Sequence, residues 1–188
     1  MPSTAWKVRN YHQKWMGGDT VSVAIGQGYV TVTPIQLASA IGGIAVGGEW
    51  HRPHLLMSDT KTEKPRVWAL NPENVTKVVD GMYGVVNEGG TGGRAIIPGI
   101  RVCGKTGSAQ TASLDYAKTH VAKDNSWFVG FAPCEAPEIV IAALGEGGVQ
   151  GAYSAPIVRD VMKAYFDKKA RMHMTKAQSG QTMIGASQ

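Results

Sequence analysis

Apolar positions in this chain recur at a helical spacing, switch to strand-like runs in the middle, and return to the helical spacing near the end. In TVTPIQLASAIGGIAVGG, residues 31–48, Thr33 can cap a helix, Pro34 suits its first position, and Gln36 stands where a capping box needs it. Gly47 and Gly48 then stop it. With almost no polar position, this helix is predicted to be buried on most sides. In NPENVTKVVDGMYGVVNEGG, residues 71–90, Asn71 caps and Pro72 opens. Val75, Val78, Val79, Met82, Tyr83 and Val86 follow at the spacing of one helical face, and Gly89 and Gly90 end it. In SAPIVRDVMKAYFDKKA, residues 154–170, Ile157, Val158, Val161, Met162, Tyr165 and Phe166 repeat the stripe. Lys168, Lys169 and Arg171 then sit at the negative end of the helix dipole.

Between the second and third helices the texture is that of strands. IRVCGKTGSAQ, SWFVGFAP and EIVIAALGE are short β-branched and aromatic runs, separated by the polar TASLDYAKTHVAKDN and the tight CEAP turn. They predict a three-strand antiparallel meander with helices before and after it, an α+β arrangement. Residues 1–30 are Gly-rich and aromatic without a clear period, which predicts loop with one short strand at VSVAI. Residues 172–188 read as a polar, disordered tail, which leaves 1–171 as the folded portion.

Composition changes this picture little. A chain of 188 residues with 43% hydrophobic and 18% charged residues has enough apolar material for one real core. No window approaches the ~18 uninterrupted apolar residues of a membrane span, and the opening MPSTAWKVRN lacks the apolar core of a signal peptide. The net charge of +5 is scattered, and its densest run, DKKARMHMTK, adjoins the tail, so it predicts a solvated face and no nucleic-acid partner.

The chemistry concentrates in GIRVCGKTGSAQ, residues 99–110. Gly99 to Thr106 fits GxxxxGK[ST], the phosphate loop of a nucleotide hydrolase, but that loop needs a strand before its first glycine and a helix starting at the Lys-Thr. Here the strand-like Ile100, Arg101, Val102 and Cys103 lie inside the supposed loop, and no helical stripe follows. The alternative is a KTG element on a strand edge: Lys105 supplies positive charge, Thr106 and Ser108 hydroxyls bind a carboxylate, and the backbone N–H after Gly107 serves as an oxyanion donor. Alternation puts Lys105 and Gly107 on one face and Thr106 and Ser108 on the other, so a twist or bulge is expected if all serve one site.

GDTVSVAIGQGYVTVTPIQLASA, RPHLLMS, DGMYGVVNEGGTG, GKTGSAQ and SWFVGFAP occur in this order over residues 1 to about 167. Together they resemble the C-terminal part of the transpeptidase domain of class B penicillin-binding proteins, of the elongation type. That resemblance implies a penicillin-binding transpeptidase fold, like that of the serine β-lactamases, with a five-stranded antiparallel sheet sandwiched by helices and KTG on the strand lining the cleft. It implies that Lys105 organises the proton network, that Thr106 and Ser108 bind the carboxylate of a peptidoglycan stem peptide or β-lactam, and that the Ser108 N–H, beyond Gly107, is half of an oxyanion hole. It implies no cofactor or metal, the cell elongation machinery as partner, and a parent protein in the bacterial inner membrane with this domain on the periplasmic side.

The departure from the family concerns the nucleophile, a serine in an SxxK motif accompanied by an SxN motif. No SxN occurs in the sequence. Ser58, Asp59, Thr60 and Lys61 spell SxxK, but SDTKTEKP has no apolar stripe and runs into Pro65; Thr4 with Lys7 in TAWK is weaker still. The expectation is therefore a fragment with no nucleophile, inactive alone and prone to self-association through faces that lack partners. The competing reading from another class is a non-catalytic envelope-binding module. Cys103 and Cys134 fall roughly opposite each other, somewhat beyond disulfide reach for directly paired residues, so free thiols are expected. His12, His51, His54, His120 and His173 lack ligand spacing, and Trp127 and Phe128 read as core or cleft wall.

Overall fold

The computed structural model describes residues 2–56, 64–111, 123–148 and 150–184. The chain opens with two short helices, α1 (Thr4–Tyr11) and α2 (Gly17–Ala24), where loop and a strand at VSVAI were expected. The Ser3 hydroxyl caps α1 by accepting the Trp6 N–H at 3.2 Å. Asp19 in the first turn of α2 accepts both the Met16 N–H and the Lys7 ammonium at 2.6 Å. Valine and glycine make poor helix, and what sustains this segment is tertiary: the Lys7–Asp19 pair and the rings of Trp6, Tyr11 and Tyr29, whose centroids lie 5.1–5.5 Å apart.

Helix α3 (Pro34–Ala45) begins as its sequence predicts, with Thr33 and Gln36 closing a reciprocal capping box at 3.3 and 2.9 Å. Its burial does not follow the prediction. Only Gly43 is buried, and Ile35 is 58% exposed, because one face alone meets a neighbour: Gly42 lies against Val140, and Gly43 against Trp50. A two-residue ribbon follows, β1 (Glu49–Trp50) paired antiparallel with β2 (Arg66–Val67). Helix α4 (Pro72–Asn87) is capped by Asn71, which accepts the N–H groups of Glu73 and Asn74, and buries Met82 and Val86.

Strands β3 (Cys103–Ala109), β4 (Asn125–Ala132) and β5 (Ile139–Gly145) form the predicted antiparallel meander in the order β3-β4-β5. The described residues thus hold a three-stranded sheet where the resemblance implies five strands. On one face Phe128, Val102 and Ala132 pack with Val158 and Met162 of the last helix, α5 (Ala155–Ile184). On the other, Phe131 and Cys103 pack with Met82 of α4 and with Ile41 of α3. The sheet is therefore sandwiched between α5 and the pair α3 and α4.

Helix α5 runs Ala155–Ile184, well past 171, where a disordered tail was expected. Residues 172–178 include Met, Lys, Ala and Gln and no proline, so nothing local stops the preceding turns from continuing. The expectation of free thiols is overturned: Cys103 and Cys134 form a disulfide, with Cα atoms 5.4 Å apart. Cys103 pairs with Phe131 in the ladder, and Cys134 lies beyond the strand end, where the turn after the cis Ala132–Pro133 bond brings its N–H to the Arg101 carbonyl. The geometry of directly opposed residues does not apply to a cysteine outside the ladder.

Candidate functional site

The KTG residues lie on an outer strand of the sheet. β3 pairs only with β4 among the described residues, in an unbroken register from Cys103 opposite Phe131 to Ala109 opposite Asn125. No bulge intervenes; the residues of both faces meet at the open edge instead. Thr106 and Ser108 stand opposite the fully buried Phe128 and Ser126, while Lys105 and Gly107 stand opposite Val129 and Trp127.

In an antiparallel strand the N–H and C=O of one residue point to the same side, and alternate residues point the same way. Three carbonyls, one just before the strand and two within it, show which way the even-numbered residues of β3 face. The Val102 carbonyl accepts from Asn87 Nδ2, that of Thr106 from Lys105 Nζ, and that of Ser108 from Gln27 Nε2, each at 2.8 Å. None of these donors belongs to β4, so this is the outward edge, and the N–H groups of Thr106 and Ser108 face the same way. Each of these three carbonyls already accepts one bond from the protein itself, while the N–H groups of Thr106 and Ser108 remain as donors on the same edge.

The side chains add hydroxyls to that edge. Ser108 Oγ accepts the Gly151 N–H at 3.0 Å, which leaves its proton to be donated elsewhere. Gly151 can sit there because it has no side chain: a Cβ would fall 2.5 Å from the Gly107 carbonyl oxygen. The turn that carries it is latched to β4 by two buried serines, with Ser154 N–H donating to Ser126 Oγ at 3.0 Å and the two hydroxyls 2.7 Å apart. Thr106 Oγ1 lies 2.7 Å from Thr91 Oγ1. Thr91, Gly151 and Gln27 were missed from sequence; a lone hydroxyl among glycines in GGTGG and a glutamine between glycines in GQG were the available signals.

The phosphate-loop reading does not survive this geometry, because Cys103–Ala109 is strand throughout and no helix starts at Lys105. Ser58 to Lys61 lie outside the described residues. Thr4 is the first residue of α1, and Lys7 is buried in an ion pair with Asp19, whose carboxylate holds the ammonium above its ordinary value, so its bonding is spent on that carboxylate. His51 pairs with Glu49 at 2.7 Å on the surface, and Trp127 and Phe128 lie in the sheet as wall and core.

Comparison with known proteins gives a consistent family. Residues 5–163 match the penicillin binding protein transpeptidase domain. The chain is similar to the peptidoglycan D,D-transpeptidase MrdA of Haemophilus influenzae, 33% identical over 90% of this chain and 29% of that protein. It is also similar to MrdA of Acinetobacter baumannii, 36% identical over 85% of this chain and 26% of the relative. Among solved structures, PBP2 of Pseudomonas aeruginosa superposes with a TM-score of 0.71 at 36% identity, covering 88% of this chain and 37% of the other. PBP2 of Helicobacter pylori, in complex with MreC, gives 0.70 at 30% identity, covering 87% and 30%. The chain thus spans under a third of the length of these curated relatives.

Proposed function

Because the chain belongs to the penicillin-binding protein transpeptidase domain family, we propose that it forms the carboxylate-binding and oxyanion side of a serine D,D-transpeptidase that cross-links peptidoglycan and is blocked by β-lactams. The observation that carries this reading is the donor edge of β3: the Thr106 and Ser108 hydroxyls and the Ser108 N–H, with the Lys105 ammonium at the same edge. A stem peptide or β-lactam brings a carboxylate and a carbonyl, the two acceptors such an edge suits. Serine attack forms the ester and breaks the amide, the hydroxyl proton passing to the leaving nitrogen; the oxygen that gains charge lies against the Ser108 N–H. A donor of this kind contributes roughly 2.7–4 kcal/mol to lowering the barrier.

We assign the attacking serine to a part of the polypeptide outside this sequence, since no SxN occurs and the one SxxK, Ser58 to Lys61, has no apolar stripe and runs into Pro65. The Cys103–Cys134 disulfide favours an oxidising compartment, in keeping with a domain on the periplasmic side of the inner membrane. By its likeness to the Helicobacter pylori protein solved with MreC, a partner in the elongation machinery follows.

The test is intact mass after incubation with a reactive β-lactam, on this chain beside a longer polypeptide carrying SxxK and SxN. One drug mass on the longer protein alone supports the reading. Stoichiometric adduct on the short chain overturns the assignment of the serine, and no adduct on either turns the reading toward a non-catalytic envelope-binding module.

A further inference from the structure

Gln27 reaches β3 from 81 positions away and meets it at two points. Its Nε2 donates to the Ser108 carbonyl at 2.8 Å, and its Oε1 accepts the Gln110 N–H at 3.3 Å. One bond needs a donor and the other an acceptor, so the amide can face only one way. Together they supply what a neighbouring strand would supply, a donor and an acceptor matched to alternate residues of one edge. The local chain is built around this presentation. Gly26 and Gly28 have φ values of 74° and 64°, the left-handed region that side chains disfavour, and they place Gln27 at the tip of a turn tied to α2 by its own N–H on the Ser22 carbonyl.

We propose that Gln27 is a positioning residue of the acyl-transfer site, holding Ser108 so that its N–H stays aimed out of the strand. The proposal rests on the reading of Ser108 given above and deepens it. Gly151 holds the Ser108 hydroxyl and Gln27 holds its carbonyl, while the N–H between them faces outward. An oxyanion donor is effective when it is already in place, so a residue whose flanking groups are both tied down needs little reorganisation when charge develops.

The experiment uses the full-length transpeptidase carrying this sequence, with a fluorescent penicillin as probe and the acylation step separated from the preceding binding step. Gln27→Ala is expected to slow acylation on the order of 10–100-fold, no more than the roughly 100–1000-fold lost when an oxyanion donor itself is removed, with little change in initial binding. Gln27→Glu keeps the size of the side chain but sets a carboxylate against the Ser108 carbonyl. Its deficit is expected to shrink as pH falls and the protonated acid regains a donor, a pH signature that a merely structural side chain would not produce. Amide hydrogen exchange at Gln110, whose N–H the Gln27 side chain accepts, is expected to quicken in Gln27→Ala. Wild-type acylation rates in both variants, measured where the wild-type protein reacts normally, overturn the proposal. Failure of the wild-type protein itself to acylate overturns the reading of the site instead, and is recognised by the absence of adduct before any substitution is made.

Discussion

The two outer edges of the sheet receive opposite treatment from the rest of the chain. Along β3, groups from distant segments converge on the strand: Asn87 and Gln27 on its carbonyls, Thr91 and Gly151 on its hydroxyls. Along β5 the sequence IVIAALG carries no charge and no proline, and every residue is half-exposed. Natural edge strands are normally protected by charge, proline or a cover. β5 therefore has the composition of an inner strand, whereas β3 is an edge whose polar groups meet partners from distant parts of the chain, and which the proposed function reads as a ligand edge. An unfinished edge and a functional edge look alike in a strand diagram, and what separates them is the chemistry that surrounds them.

Removing the disulfide should strike the β3 side hardest. In the chain-entropy account, a crosslink across 31 positions contributes about 3–4 kcal/mol, so Cys103→Ala with Cys134→Ala should lower stability by that order. Urea unfolding measures the loss, and hydrogen exchange should quicken at the start of β3 more than along β5. Equal quickening on both edges would show that the crosslink stabilises the sheet as a whole. Gly151→Ala comes next: a methyl 2.5 Å from the Gly107 carbonyl forces backbone apart, at a cost of about 1–3 kcal/mol by thermal unfolding. It should release the Ser108 hydroxyl while leaving β5 exchange unchanged.

The Lys7–Asp19 pair gives a pH test of the segment that carries Gln27. The Lys7 ammonium, with help from the Met16 N–H, holds Asp19 below its ordinary 3.8, so this stabilisation is present above that value and is lost as pH falls through the lowered one. Lys7 is held above its ordinary 10.5, chiefly by its bond to Asp19, so its contribution is complete below that value and is lost as pH rises through the raised one. Urea midpoints of Asp19→Asn should show a smaller acid limb than wild type. Identical acid limbs would mean that the pair does not couple folding to protons.

The smallest effect on stability is expected at the bare edge. The β4–β5 register and the alternation set by β3 place the Ala142 N–H on the outer side, so Ala142→Pro removes no ladder bond and should cost under about 1 kcal/mol. The isolated chain should self-associate in sedimentation velocity, and Ala142→Pro should shift it toward monomer. Self-association that survives the substitution would place the contact elsewhere, for instance on the exposed face of α3.

Much of this was legible along the chain. The caps of α3 and α4, the apolar stripe of α5, the three strands and the opposite faces of Lys105 and Thr106 all follow from neighbours within a few residues, which local sterics and hydrogen bonding determine. The helices α1 and α2 were illegible because their residues have weak helical preference and are held by ring contacts and one ion pair. The burial of α3 was misjudged because an all-apolar pattern states what a helix can bury, and only the neighbours actually present decide what it does bury.

The sequence by itself determined the order of α3, α4, the three-stranded meander and α5, the KTG strand and the family to which its motifs point. Only the tertiary structure decided that Gln27, Thr91 and Gly151 meet that strand, from 81, 15 and 43 positions away, and that Cys134 turns back to bond Cys103. The division has a physical cause: periodicity and capping act over one or two turns, whereas an open strand edge collects its partners from whatever the packed chain brings within hydrogen-bonding distance.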